Sequence, residues 1–554
     1  MKRILTYFLF SGAVIFLFFF WLNKIPLWSS DEGRYGEIAR EIWESGQIVP
    51  LRFNYVDYLQ KPAFAFVLTA LSYALLGVSN LAARFPSVLS ALLGVLLCYF
   101  FAGKLFGRRT AEASAAILAT SIGYVLVGRF ALIDMLLTFF LSTAIFCLMT
   151  ACFQKKSRYY LPAYIFMGLA FLTKGLIGVV LPAFIFLAFL IWTKNLQEIK
   201  KMHLGWGILI VAAVSLPWLV TLSLKKPEFF EVFFIQHQFI RFATKSFGRI
   251  RPFWFFIPLF FALGFPWSFF TPAAVVNGLK KETEDRRKIQ FLICWIAVVL
   301  IFFSIPRSKL PYYILPMSMP FAVLIATLFC DRLLSEKRPH PTDPWVKGAW
   351  IATLLFCFGG FVGVNLYLTF WAKKQEFLAA KPFVQLSVSF IFGVILWAYF
   401  FYKKQKEKWA LFLMGGALYG GLLLTSVTMF HLSPFESTYD YVQTLLPLLK
   451  ENDAITVYAS PDHFSDFPFH LKRRMIIVGP DRGSITDESR RPELEKKMTG
   501  WFYELDSFVK WFNARERRIF CIMEEKEFRY LEEAGLKDYK VVKRDFGKLL
   551  ISNQ

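Results

Sequence analysis

The chain has 554 residues, of which 56% are hydrophobic and 19% aromatic. Charged residues make up 19%, against about 25% in soluble domains, which excludes an ordinary soluble multidomain enzyme. The net charge of +23 does not by itself signal nucleic acid, because membrane proteins gather Lys and Arg in cytoplasmic loops, and no nucleic-acid partner is expected.

The chain opens on "MKRILTYFLFSGAVIFLFFFWLNK", a basic end followed by an apolar run with no small-residue cleavage site, which predicts an uncleaved first span. Apolar runs then recur at 82–102, 110–127, 130–150, 159–173, 176–193, 204–222, 252–271, 288–305, 312–330, 346–370, 384–402 and 408–428, after the first at 4–22. The fold class is an α-helical polytopic membrane protein. Most of the seven cysteines lie in these runs, without CxxC pairs or metal-like spacing, so no disulfide framework is expected.

One further segment, 62–78 ("PAFAFVLTALSYALLGV"), decides the topology. If it does not cross, the loops containing "GKLFGRR", "QKKSR", "KNLQEIKK", "KKETEDRRK", "DRLLSEKR" and "KKQKEK" all face the side of the N-terminus. These are the basic loops, so that side is the cytoplasm. Segment 62–78 is therefore read as dipping into or lying along the outer interface, giving thirteen spans and an outer C-terminus.

This topology puts the loop 23–61, extended by 62–78 to residue 81, the loop 223–251 and the connection 306–311 on the outer face. Within "DEGRYGEIAREIW", Tyr35, Ile38, Ala39, Ile42 and Trp43 form one apolar stripe of a short interfacial helix. Asp31 at its start suits capping and Glu32 suits the dipole, and both acids are also catalytic candidates. Lys61, before Pro62, suits snorkelling. Asp134 is harder to dismiss, since an ionised group inside a span usually faces a polar cavity. Lys174, Lys309, His237 and Arg241 map to the same face. Carboxylates and cations from remote segments meeting there point to a site that handles an anion and a proton. His237 is the one metal-ligand candidate, and no second His or Cys stands at ligand spacing.

After about residue 434 the hydropathy falls. "YDYVQTLLPLL", "SFVKWFNA" and "EFRYLEEAG" read as helices; "AITVYAS", "RMIIVG", "RRIFCIM", "YKVVKRD" and "KLLIS" read as strands. The division expected is a transmembrane domain over 1–433 and a small soluble α/β domain over 434–554 with a covering or partner-binding role.

"SSDEGRYGEIAREIWESGQIVPLRFNYVDYLQKPAFAF", "GRFALIDMLLTFF", "FLTKGLIGVVLP" and "SKLPYYILPMSMP" together resemble the bacterial lipid A aminoarabinose transferases, in the protein O-mannosyltransferase-like branch of the GT-C membrane glycosyltransferases. The resemblance implies thirteen spans, interfacial helices in the first outer loop and a C-terminal periplasmic domain. It also implies transfer of a sugar, with inversion, from a polyprenyl phosphate carrier to an outer-face acceptor such as lipid A. By motif, Asp31 matches the family's essential loop acid, Asp134 its second acid and Lys61 its phosphate-binding lysine. Arg34, Tyr58 and Arg241 match phosphate- or site-lining positions, and Tyr312 or Tyr313 a site-lining tyrosine. One departure stands out: Gln60 replaces the acid that family members tend to place before Lys-Pro, which weakens any zinc site opposite His237 and loosens the choice of sugar.

These residue types suit the chemistry. Charge builds on phosphate oxygens as the glycosidic bond breaks, and Lys61, Arg34 and Arg241 could stabilise it. Asp31 is the choice for general base, or for an electrostatic role if the acceptor is itself an ionised phosphate. Membrane lipid is expected around a monomer. The alternatives are a hexose or uronic acid as donor sugar, a protein O-mannosyltransferase acting on Ser/Thr and, from another class, a lipid-linked sugar transporter. Against the transporter, no internal repeat is visible and the charges gather on one face, not at the midplane.

Overall fold

The computed structural model describes residues 2–240, 250–333, 343–371, 375–458, 460–485 and 498–554. In chain order the first elements are α1 (Lys2–Phe19), α2 (Asp31–Ser45), the hairpin β1–β2 (Leu51–Phe53, Val56–Tyr58) and α3 (Phe64–Leu76). They are followed by α4 (Asn80–Phe106), α5 (Arg108–Thr120), α6 (Ile122–Gly128) and α7 (Ile133–Gln154), then α8 (Tyr160–Lys174), α9 (Ile177–Trp192) and α10 (Leu204–Lys225). Apolar helices over 256–263, 283–304, 318–328, 344–366, 375–403 and 407–436 complete the bundle.

α7 is apolar on all sides, and 83% of its span window is buried, so it is the central post of the bundle. The same window of α10 is only 17% buried and leaves its side chains for lipid. A helix falls in each of the thirteen predicted spans, but length and composition alone do not make thirteen crossings. Among the described residues eight helices are long and apolar enough to cross, or ten if each of two bent pairs is one span. The predicted span 110–127 is α5 and α6 bent by 63° at Ser121. The span 252–271 bends by 107° near Pro266, which cannot continue a helix. α8 and α9, with 15 and 16 residues, rise roughly 22–24 Å against a hydrocarbon core of about 30 Å. α3, with 13 residues, is shorter still, as its reading as a non-crossing helix requires.

α2 corrects a second expectation. The helix forms, but it does not lie with one polar face in water. Its apolar stripe is buried at Ile38, Ala39 and Ile42, while Glu37, Arg40 and Glu41 on the other side are also at most 4% exposed. Arg40 neutralises Glu37 through two 2.7 Å bonds and reaches Glu44 at 2.9 Å. Glu41 accepts the Tyr55 amide, which Asn54 and Tyr55, both left-handed as a two-residue hairpin turn requires, turn toward it. Trp43 alone of the predicted stripe is half exposed.

What covers α2 is the C-terminal domain. Its six-stranded sheet has the order β5-β4-β3-β6-β8-β7, with β3 (Ala454–Tyr458), β4 (Ile476–Val478), β5 (Phe502–Tyr503) and β6 (Ile519–Glu524) parallel. β7 (Lys540–Asp545) and β8 (Lys548–Ser552) close it as an antiparallel pair. Every predicted strand and helix of this region is present, and β5 is additional. β3 and β8 are buried along their length, whereas the edge strand β7 carries Lys, Arg and Asp that blunt it. The last bundle helix runs on to Glu436, where its carbonyl accepts the Ser29 amide at 2.9 Å.

The docking is close. A Cβ added to Gly33 would lie 2.5 Å from the Asp466 backbone nitrogen, so only glycine lets α2 approach the domain. Gly33→Ala is expected to cost about 1–3 kcal/mol by forcing the two apart, read as a lowered unfolding temperature in detergent and faster proteolysis of the C-terminal domain.

Candidate active site

Ser30 stands at the N-cap of α2 with φ 71° and makes no side-chain cap. Asp31 instead pairs with Arg34 through one oxygen and accepts the Tyr312 hydroxyl at 2.6 Å through the other. One turn on, Arg34 lies between Asp31 and Asp462, whose Oδ1 is 3.0 Å from Nη1. Burial opposes the Arg34 charge, but Tyr58, Asp462 and Asp31 outweigh it and hold the guanidinium firmly charged. Its Nε is buried and finds no acceptor among the described residues, which leaves one unspent donor in the site. Burial, then the Asp31 charge, raises the neighbouring Tyr35 phenol well above its ordinary value, so it is a neutral wall.

The second acid joins from the bundle. Asp134 sits in the first turn of α7, 5% exposed, and pairs with Lys174 at the last turn of α8. Lys174 also stands 4.6 Å from the Tyr313 ring centre and 5.9 Å from that of Tyr312. Tyr312 thus lies between the Asp31–Arg34 pair and the Asp134–Lys174 pair, and the two acids share one electrostatic neighbourhood. A small apolar pocket lies beside Tyr312, lined by Phe260, Leu263, Ile314, Met317 and Phe321.

Other predicted residues are placed differently. Glu32 is not free for chemistry: both its oxygens bind Arg84, at 2.7 and 2.8 Å, and also accept the Ala131 and Trp28 amides. Arg84 donates its remaining N–H groups to the carbonyls of Leu22, Ile25 and Pro26, so the pair is a buried structural knot. Lys309 is 3% exposed and donates to the carbonyls of Pro306 and Arg251, tying the 306–311 connection down. Tyr58 is buried on β2 within electrostatic reach of Arg34, and Lys61 is half-buried on the strand-to-helix segment before α3. Arg241 lies outside the described residues, as does the side chain of His237.

Asp462 was not singled out from sequence, yet it is the C-terminal domain's contribution to this cluster. A signal was available: "SPDHFSDF" directly follows β3, and α/β sheets bring ligand-facing groups to the carboxyl ends of parallel strands. A zinc site does not fit the described residues. Gln60 offers an amide, not a carboxylate, and its Nε2 donates to the Ser484 carbonyl. No group of three His, Cys, Asp or Glu residues converges among the described residues.

Residues 60–220 match the family described as dolichyl-phosphate-mannose-protein mannosyltransferase. The undecaprenyl phosphate-α-4-amino-4-deoxy-L-arabinose arabinosyl transferase of Photorhabdus laumondii is 30% identical over 410 residues, covering 67% of this chain and 72% of the relative. The enzyme of the same description from Shewanella sediminis is 26% identical over 525 residues, 90% of this chain and 92% of the relative. The crystal structure of ArnT from Cupriavidus metallidurans bound to undecaprenyl phosphate superposes with a TM-score of 0.86 at 23% identity, covering 99% of this chain and 97% of that one. That last likeness establishes the fold.

Proposed function

The chain belongs to the family of the undecaprenyl phosphate-α-4-amino-4-deoxy-L-arabinose arabinosyl transferases, and from that membership we propose that it transfers an aminoarabinose unit, with inversion, from undecaprenyl phosphate to lipid A. The reaction takes place at the outer face of a bacterial inner membrane, with the N-terminus in the cytoplasm and thirteen crossings. Residues 1–433 carry the transfer, and the periplasmic domain 434–554 covers the site.

The observation that carries this reading is the placement of Asp31, held between Arg34 and Tyr312, whose ring in turn borders an apolar pocket. The prenyl chain approaches along the apolar residues beside Tyr312, which leaves its phosphate among the cations. The unspent Arg34 Nε, with Lys61 and Arg241, takes up the charge that develops on the leaving phosphate, an interaction strengthened where water is excluded. Asp31 orients the acceptor and takes its proton where it has one. A lipid A phosphate, with a second pKa of about 6, is already largely ionised, and Asp31 then acts through its negative charge on Arg34. Lys174, neutralised by Asp134, fixes the Tyr312 and Tyr313 rings at the reacting centre.

Purified enzyme incubated with undecaprenyl phosphate carrying aminoarabinose, a hexose or a uronic acid, together with lipid A, tests the proposal by mass spectrometry. Aminoarabinose-modified lipid A is expected. Product only on protein Ser/Thr, or labelled sugar crossing vesicles with no covalent product, overturns it.

A further inference from the structure

The C-terminal domain grips the chain immediately before Asp31 from several directions. The Ser30 amide donates to the Asp462 carbonyl at 3.1 Å, and the Ser465 hydroxyl donates to the Ser30 carbonyl at 2.7 Å. Ser29 donates its hydroxyl to Asp466, which also accepts from Ser437 and Thr438. Ser30 has φ 71°, a left-handed conformation that serine seldom adopts unless its surroundings impose it. The same short segment sends the Asp462 carboxylate to Arg34 Nη1, while Arg34 Nη2 goes to Asp31. The Ser484 hydroxyl, 2.7 Å away, fixes the Asp462 carboxylate from behind.

We propose that Asp462 is a positioning residue of the transfer site: it engages one terminal nitrogen of Arg34 so that the other is presented to Asp31. A guanidinium is a planar fork and aligns two carboxylates at once, which a lysine ammonium would not do. Asp462 touches neither sugar nor phosphate in this scheme. It acts through Arg34, and through Ser30 on the backbone that launches Asp31. The C-terminal domain is then part of the catalytic architecture and more than a cover.

There is an electrostatic consequence. Two carboxylates divide one guanidinium, and the second negative charge opposes ionisation of the first. With Asp462 in place, Asp31 remains more basic than it would be with Arg34 to itself. Among the described residues, groups that also face Asp31 include Tyr35, Tyr312 and, beyond the tyrosines, Asp134 with Lys174. Around Asp462 stand Arg34, Ser484 and the adjacent His463, itself paired with Glu524 at 2.8 Å. Removing the Asp462 charge therefore lowers the pH at which Asp31 ionises and weakens it as a proton acceptor.

Steady-state transfer measured against pH tests this in the full-length enzyme. Asp462→Asn is expected to lower kcat about tenfold with KM within about twofold, and to move the acid limb of kcat/KM down by about one pH unit. Asp462→Ser should do the same and replaces the amide variant if that one fails to fold. Asp462→Glu should restore the limb. In an Arg34→Lys background the Asp462 change should add less than about twofold, since its partner is gone. Asn54→Ala breaks a docking contact to Met475 away from Arg34, and should lower the unfolding temperature without moving the limb. An unmoved limb in both neutral variants, a full second loss in the Arg34→Lys background, or an equal limb shift in Asn54→Ala overturns the inference. The inference rests on Asp31 acting in its ionised form: an active Asp31→Asn refutes that reading, whereas an unmoved limb with Asp31 still essential refutes only the role of Asp462.

Discussion

Replacing Asp31 by Asn is expected to reduce transfer about 10²–10⁴-fold while the protein stays folded. The amide keeps the size of the side chain and can still accept from Tyr312, so the geometry survives. What it loses is the negative charge facing Arg34 and the capacity to take a proton. Arg34 retains Asp462 as a partner and is not left as an uncompensated buried charge. The stability change should therefore stay within about 1–2 kcal/mol, well short of the cost of breaking a buried pair outright. The measurement is single-turnover formation of modified lipid A by purified enzyme, beside an unfolding curve in the same detergent. Wild-type turnover in a folded Asp31→Asn protein would remove Asp31 from the mechanism and turn attention to Asp134.

Glu32→Gln and Arg84→Met should each destabilise the protein by about 3–5 kcal/mol, although neither touches the reacting groups. Glu32 and Arg84 are 3% and 1% exposed, and between them they satisfy the amides of Trp28 and Ala131 and the carbonyls of Leu22, Ile25 and Pro26. The pair thereby joins the end of α1, the start of α2, α4 and the turn before α7. Removing one partner strands a charge with little access to water, and a loss of this size is a large share of a typical stability. The expected outcome is poor yield and a lowered unfolding temperature, with residual activity per folded molecule close to wild type. Combining Glu32→Gln with Arg84→Met should cost less than the sum, because neither charge is then left alone. Equal and additive losses would mean that the pair acts through packing only.

Adjacent residues Asp31 and Glu32 thus have opposite fates, and nothing local distinguishes them. Both are acids in the first turn of the same helix. The 100° step between neighbours sends one toward Tyr312 and the other toward Arg84, and neither partner is near in sequence. Glu32, a catalytic candidate by sequence, is instead consumed by its two bonds to Arg84. α2 was likewise read as amphipathic because Glu37, Arg40 and Glu41 are charged. Burial is not visible there because Arg40 pairs with Glu37 inside the helix, Glu41 is taken up by the Tyr55 amide, and the covering domain is more than 400 residues away in the chain.

Much else was legible from the chain alone. Apolar runs have to span or be buried, so the helical bundle follows from hydropathy. Short continuous apolar runs bounded by turn residues marked the central strands of the C-terminal sheet, because strands buried on both faces carry no polar alternation. The distribution of Lys and Arg among loops was enough to gather Asp31, Asp134, Lys174 and Tyr312 at one end of the bundle, since charge asymmetry across a membrane orders every loop at once. Tertiary structure alone decided which of those groups meet. Pairing Lys174 with Asp134, Tyr312 with Asp31, and Asp462 with Arg34 depends on helix rotation and domain docking, which are set by the sum of many weak packing contacts, and no short stretch of sequence encodes that sum.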